Sequence, residues 1–318
     1  MTTRTRQYGL SLVELMVAVT IGLVLSLGAV NLFMQSKASY LQDEESARLQ
    51  ENGRFALRYL SHELGMAGFI GGVNTGDLIT STPTGGDECF DYLMGVGRPA
   101  YIFEHYDEVQ ESDKDDIDLP EDECWAEDDN LFEDEDLPPP DVLVVRRTRD
   151  YDTDPDEPGV SLDPNAFYLR IFDANVTRTI VQGEAHGPDL EWWEFTPQIL
   201  FVRNWSQDEG DDIPTLCRKL LAPAKAIGDT ECLVEGVENM QIEYGVDSDG
   251  DQQANYFVAN PTAAEMNGAV AARIYLLMRS VGEITGYTND KTFTLGQTAI
   301  AASEDGYYRR VMQTTVLL

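Results

Sequence analysis

The sequence predicts an α+β protein in which one long N-terminal α-helix packs on an antiparallel β-sheet domain. Two observations carry this. Residues 10–66 contain no proline and keep a helical pattern from end to end. The remainder is a succession of short runs of branched and aromatic residues, separated by Gly, Pro, Asp or Asn.

The helix opens apolar. Residues 10–33 carry one ionisable group, Glu14, and 24 residues at ~1.5 Å each are enough to cross a ~30 Å hydrocarbon core. Before them, MTTRTRQYG carries Arg4 and Arg6 and no acid, which leaves this end in the cytoplasm and sends the bulk of the chain outward. A secretory signal would have a shorter apolar region and an A-x-A-like site, which does not follow Phe33. Further on, Leu49, Gly53, Ala56, Leu57, Leu60 and Leu64 recur at spacings of three and four, one stripe on a helix whose other faces hold charges. GMAGFIGG then supplies glycines for a stop. The expected helix has about 55 residues and a length on the order of 85 Å.

Glu14 needs a partner, because a carboxylate inside a span costs roughly 2.5–3.5 kcal/mol by insertion scales. No basic residue follows it within the apolar run.

The strands come next. DVLVVRRT (141–148), AFYLRIF (166–172), QILFVRNW (198–205), MQIEYGV (240–246), AARIYLLMRS (271–280) and the last dozen residues form the expected sheet. Alternation is cleanest in MQIEYGV, where Met240, Ile242 and Tyr244 share a face, and it suits a half-exposed surface strand. Between 104 and 141 lie 19 acidic residues and one lysine, Lys114. Such a run repels itself and predicts an exposed loop, anchored locally by Trp125 and Phe132 and tied at Cys124.

Charge and motif content bound the function. With 57 acidic and 22 basic residues the chain has a formal net charge of −35, which repels polyanions and excludes nucleic-acid binding through phosphate neutralisation. His62, His105 and His186 sit in no nucleophile or metal arrangement, and no GxSxG, HExxH or P-loop pattern is present, so no enzyme is expected. Cys89, Cys124, Cys217 and Cys232 have neither CxxC spacing nor a histidine nearby; two disulfides fit an extracytoplasmic domain. Three connectivities are open, and proximity favours Cys89 with Cys124 and Cys217 with Cys232. In DSDGDQQAN, Asp247, Asp249 and Asp251 alternate as hard oxygen donors around Gly250, a constellation for Ca2+ at a hairpin tip or a plain Asp/Gly turn. It is not an EF-hand, since Gly250 is fourth and Val258 twelfth.

RTRQYG followed by LSLVELMVAVTIGL resembles the class III signal of type IV pilins and of type II secretion pseudopilins. The resemblance implies cleavage after Gly9 by a prepilin peptidase, N-methylation of Leu10 and an assembly role for Glu14 at the fifth mature position. Leu10 stands where the usual first mature residue is Phe. Cleavage would create an α-amino group one helical turn from Glu14, able to pair with the carboxylate of an adjacent subunit. LQENGRFALRYLSHELGMAGFIGG (49–72), CLVEGVENMQIEYGVDSDGDQQANYF (232–257) and YYRRVMQTTVLL (307–318) resemble PilW-type minor pilins. Together these stretches cover roughly a third of the chain. They imply the type IV pilin fold with a leader at 1–9, a membrane half of the helix at 10–33, a periplasmic half at 34–68 and a globular domain at 69–318 bearing the acidic loop at 104–141. They also imply an inner-membrane protein with a periplasmic domain that passes into the pilus. Its partners would be other minor and major pilins, the inner-membrane assembly platform and a pilus-tip adhesin. A minor pseudopilin of a secretion system, or an adhesive or cation-binding tip module, are the alternative outputs. No cofactor is required on this reading beyond the candidate Ca2+.

Overall fold

The computed structural model describes residues 11–71, 79–81, 83–95, 103–106, 124, 138–155, 157, 160–172, 177–183, 191–222 and 225–318. Helix α1 runs from Leu12 to Gly65, about 80 Å at the standard rise. It starts on a capping box, with Ser11 as N-cap and Glu14 three residues on. It stops at Met66, after which Gly68 and Gly71 take positive φ and turn the chain away.

Among the described residues sixteen strands follow: β1 (Ile79–Ser81), β2 (Phe103–Tyr106), β3 (Val142–Val145), β4 (Phe167–Phe172), β5 (Thr177–Gln182), β6 (Glu191–Glu194), β7 (Gln198–Arg203), β8 (Thr215–Ala222), β9 (Ala226–Ile227), β10 (Glu231–Glu235), β11 (Val237–Val246), β12 (Tyr256–Val258), β13 (Ala269–Arg279), β14 (Phe293–Leu295), β15 (Thr298–Ile300) and β16 (Arg309–Leu317). The short helices α2 (Glu88–Leu93) and α3 (Ala263–Asn267) lie between them. The architecture is α+β and consistent with the type IV pilin fold. The strands form not one sheet but several: β10-β8-β7-β3-β2 with β9 beside β8, β12-β11-β13-β16, β1-β5-β4-β6, and the hairpin β14-β15. Among the described residues all pairings are antiparallel except β1 with β5.

The second half of α1 lies across two of these sheets at once. Leu49, Ala56, Leu57, Leu60 and Leu64 join Leu143, Val145, Leu200, Val202 and Leu216 from one sheet, and Met240, Ile242, Tyr244, Ile274 and Leu276 from the other, in a single core. The alternate residues Val142, Val144, Ile199, Phe201 and Cys217 face the opposite side, where they pack with Cys89, Tyr92 and Leu93 of α2. Being covered on both faces explains why β3 and β7 are buried throughout. The two sheets are joined by Gly236, at φ 82°, where a Cβ would lie 2.6 Å from the carbonyl oxygen of Arg279; the join requires glycine.

β11 departs from expectation. All ten of its residues are buried, so MQIEYGV is a central strand rather than a surface one. Met240, Ile242 and Tyr244 do share the helix-facing side. The other side is polar yet covered: Asn239 and Gln241 donate to the carbonyls of Pro138 and Pro139, and Ile242 N–H donates to Asp141. Residues 138–141 lie over the strand and satisfy it, which an alternation count does not register.

Candidate functional site

The feature that singles this chain out is the exposed half of α1. Leu12, Val13, Leu15, Met16, Val17, Val19, Ile21, Leu23, Val24, Leu25, Leu27, Val30, Leu32, Phe33 and Met34 all stand clear of the protein, at 50–73% exposure. They occupy every side of the helix, so no rotation would bury them against one partner surface. This is the one helix, among the described residues, that is long and apolar enough to cross a membrane. The Thr20 hydroxyl is closed internally, donating to the carbonyls of Met16 and Val17 at 3.0 and 2.9 Å.

At the head of this segment Glu14 folds back on the helix start. Its Oε2 accepts from Ser11 N–H at 2.9 Å, and its own N–H donates to Ser11 Oγ at 3.3 Å. Sequence reasoning missed this box, although S-x-x-E is its signature. Gly9 and Leu10, the expected cleavage and methylation positions, lie outside the described residues.

Below the exposed half, polar ties clamp the helix to the body. Arg147 grips Glu63 through Nε and Nη2 at 2.7 and 2.9 Å, and Gln198 donates to the same carboxylate. Glu63 is 2% exposed, so the bidentate guanidinium is what makes its burial tolerable. One turn earlier, Tyr59 OH donates to Gln198 at 2.8 Å and accepts from Arg218 at 2.9 Å, and Arg218 continues to Glu231. Burial raises the Tyr59 pKa, outweighing the Arg218 bond that lowers it. Asn52 donates to the Glu235 carbonyl and Arg48 pairs with its carboxylate at 2.7 Å. None of these partners is near α1 in sequence, which is why the stripe was legible and the clamp was not.

The other expected site residues are distributed through the body. Cys89 is bonded to Cys124 and Cys217 to Cys232; the second joins directly opposed residues of β8 and β10. Asp247, Asp249 and Asp251 bring one carboxylate oxygen each within 4.8 Å of one another. The turn is closed from within: Asp247 accepts backbone N–H bonds from Asp249, Gly250 and Gln252 at 3.1, 2.7 and 2.7 Å. The bond from Gln252 leads these in holding the Asp247 pKa below the usual carboxylate range. His62 lies in the last turn of α1 and His105 on β2. His186, Lys114, Trp125 and Phe132 lie outside the described residues.

Comparison with known proteins completes the site. Residues 200–318 match the family described as type IV pilus-assembly protein W, and residues 4–30 match the prokaryotic N-terminal methylation motif. The first covers β7 to β16 and the second the head of α1. Both describe structural pilus components rather than enzymes. No curated protein and no solved structure matches the chain.

Proposed function

We propose that the chain is a PilW-type type IV pilin, a reading the matches at its two ends support, and that it is a minor subunit that works in pilus priming or in the tip complex. In this proposal a prepilin peptidase cuts after Gly9, the new α-amine of Leu10 is methylated, and residues 10–33 hold the subunit in the inner membrane with its body in the periplasm. On assembly, the exposed apolar half of α1 exchanges lipid for the helices of other pilins. Glu14 meets the N-terminal amine of a neighbour, and the assembly platform and a tip adhesin are its further partners.

The observation that carries this is the division of α1. Its second half is clamped to the body by Glu63, Tyr59, Asn52 and Arg48, so the apolar first half projects as a rigid extension. Such a projection cannot be satisfied by its own chain; it needs lipid, then other apolar helices.

The test uses three substitutions. Glu14→Ala removes the charge and the carboxylate half of the capping box, Glu14→Gln keeps a capping side chain without charge, and Ser11→Ala removes the N-cap hydroxyl but leaves the carboxylate. All three are expected to be processed. Mass spectrometry of sheared fibres should find both Glu14 variants depleted and Ser11→Ala present. Incorporation of Glu14→Gln at the parental level would sink the ion pair, since nothing but the charge then differs.

A further inference from the structure

Among the described residues, β16 leaves one backbone edge open. β16 is the terminal strand of its sheet and pairs with β13 without a register shift from Arg309↔Arg279 to Leu317↔Ala271. At the two ends of this ladder Ser280 N–H donates to Tyr308 O at 2.8 Å and Leu318 N–H to Val270 O at 3.1 Å. Hydrogen-bonded and non-bonded pairs alternate along an antiparallel ladder. Even-numbered residues of β16 therefore spend their backbone groups on β13, while Arg309, Val311, Gln313, Thr315 and Leu317 turn N–H and C=O outward. No backbone partner for those outward groups is found among the described residues.

Open edges are normally blunted by charge, proline or a bulge. Beyond Arg310 this one has none of them. Residues 311–318 read VMQTTVLL, eight in a row without charge in a chain of 57 acids and 22 bases. Val311 packs against the β14–β15 hairpin, but the side chains of Gln313, Thr315 and Leu317 are exposed, Leu317 at 77%. An incoming strand would find unpaired donors and acceptors with no charge to desolvate.

The direction of β16 limits what can dock. Gly53 of α1 lies against Met312, and Gly65 against Val316, where a Cβ would be 3.3 Å from the valine methyl. Twelve residues of helix, about 18 Å, thus advance in the same sense as four residues of strand, about 13 Å. β16 runs along α1, away from its apolar end. Two copies joined by antiparallel β16 edges about a two-fold axis would point their α1 helices in opposite directions. Their apolar halves could not then share one membrane or one fibre.

We infer that β16 is a docking edge for an extended, uncharged strand of a different subunit, anchored in the same orientation and running antiparallel to β16. This rests on the pilin reading above. Main-chain bonds at Gln313, Thr315 and Leu317 would supply the affinity, and the uncharged face would select against acidic strands.

The full-length chain tests it. Thr315→Pro deletes an outward N–H and no bond to β13, a position where an edge strand tolerates proline; Gln313→Lys with Leu317→Lys charges the same edge. Both variants, purified from membranes in detergent, should melt with the parent, yet each should be depleted about tenfold from sheared fibres. If Thr315→Pro melts early, the lysine pair decides. Parental incorporation of a variant that melts normally overturns the inference. Thr315→Cys gives a second readout: a disulfide-linked dimer of this chain in intact cells would replace the proposed partner with a second copy and overturn it also. A Gly9→Ala strain run in parallel separates the two levels. If that strain loses the subunit from fibres while Thr315→Pro keeps it, the docking edge falls and the pilin reading stands. If Gly9→Ala subunits enter fibres as the parent does, or the parent is absent from them, both fall.

Discussion

The two halves of α1 share one backbone and differ in the solvent they were built for. Between residues 49 and 64, Leu49, Ala56, Leu57, Leu60 and Leu64 keep to a stripe and are at most 8% exposed, while Arg54, Phe55 and Arg58 on the other faces meet water. From Leu12 to Met34 they occupy all faces and none is buried. The first pattern anticipates one partner surface, supplied by the chain's own sheets. The second anticipates an apolar medium on every side, which this chain does not supply. Continuity between the halves makes the body a handle for the segment that assembles.

The packed half should break first and hardest at its buried charge. Glu63→Ala leaves Arg147 unpaired beneath the helix and is expected to destabilise the full chain by about 3–5 kcal/mol in a denaturant titration in detergent. A loss under 1 kcal/mol would mean the clamp is ornamental. Leu60→Ala removes a side chain with no exposed surface and should cost about 2–5 kcal/mol according to how far the sheets collapse onto the gap. Leu23→Ala, in the exposed half, sharpens the contrast: its stability change should stay within roughly 0.5 kcal/mol, while its recovery in sheared fibres falls. Equal destabilisation by Leu23→Ala and Leu60→Ala would erase the distinction between the halves.

How far the sequence carried depended on whether a signal was local. The apolar run, the 49–64 stripe and the strands at β3, β4, β7, β11, β13 and β16 are legible because periodicity and composition lie within a few residues. TLCRKLLA was missed as β8 because Leu, Lys, Arg and Ala read as helix formers; pairing with β7 and β10 overrides that preference. EWWE was missed as β6 because its flanking acids hide Trp192, which is fully buried. At the candidate site Glu14 was found as an anomalous charge, but its cap on Ser11 was overlooked. The partners of Glu63, and Glu238, which Arg309 grips at 2.6 and 2.7 Å, are too distant in sequence for spacing to reveal.

The smallest effect expected is a pH dependence confined to the packed half. Asp211 closes the loop whose Ser206 hydroxyl donates to Glu235, the residue that also pairs with Arg48 of α1. Burial would raise the Asp211 pKa, but N–H bonds from Ile213, Ser206, Gln207 and Asp208 outweigh it and hold the group below its ordinary value. A carboxylate depressed in the folded state contributes stability above its unfolded pKa of about 3.9 and loses it as pH falls through the folded value. Acidification also relieves the repulsion of a chain at −35, an effect of opposite sign on stability, so the parent's curve alone does not isolate this group. The difference between parent and Asp211→Asn does. The variant should melt slightly below the parent at pH 7, and the gap should close as the parent's own Asp211 protonates at low pH. A gap that persists unchanged at low pH would assign the effect to lost packing instead of lost charge, and would remove Asp211 from the list of groups that tie the loop to the clamped half of the helix.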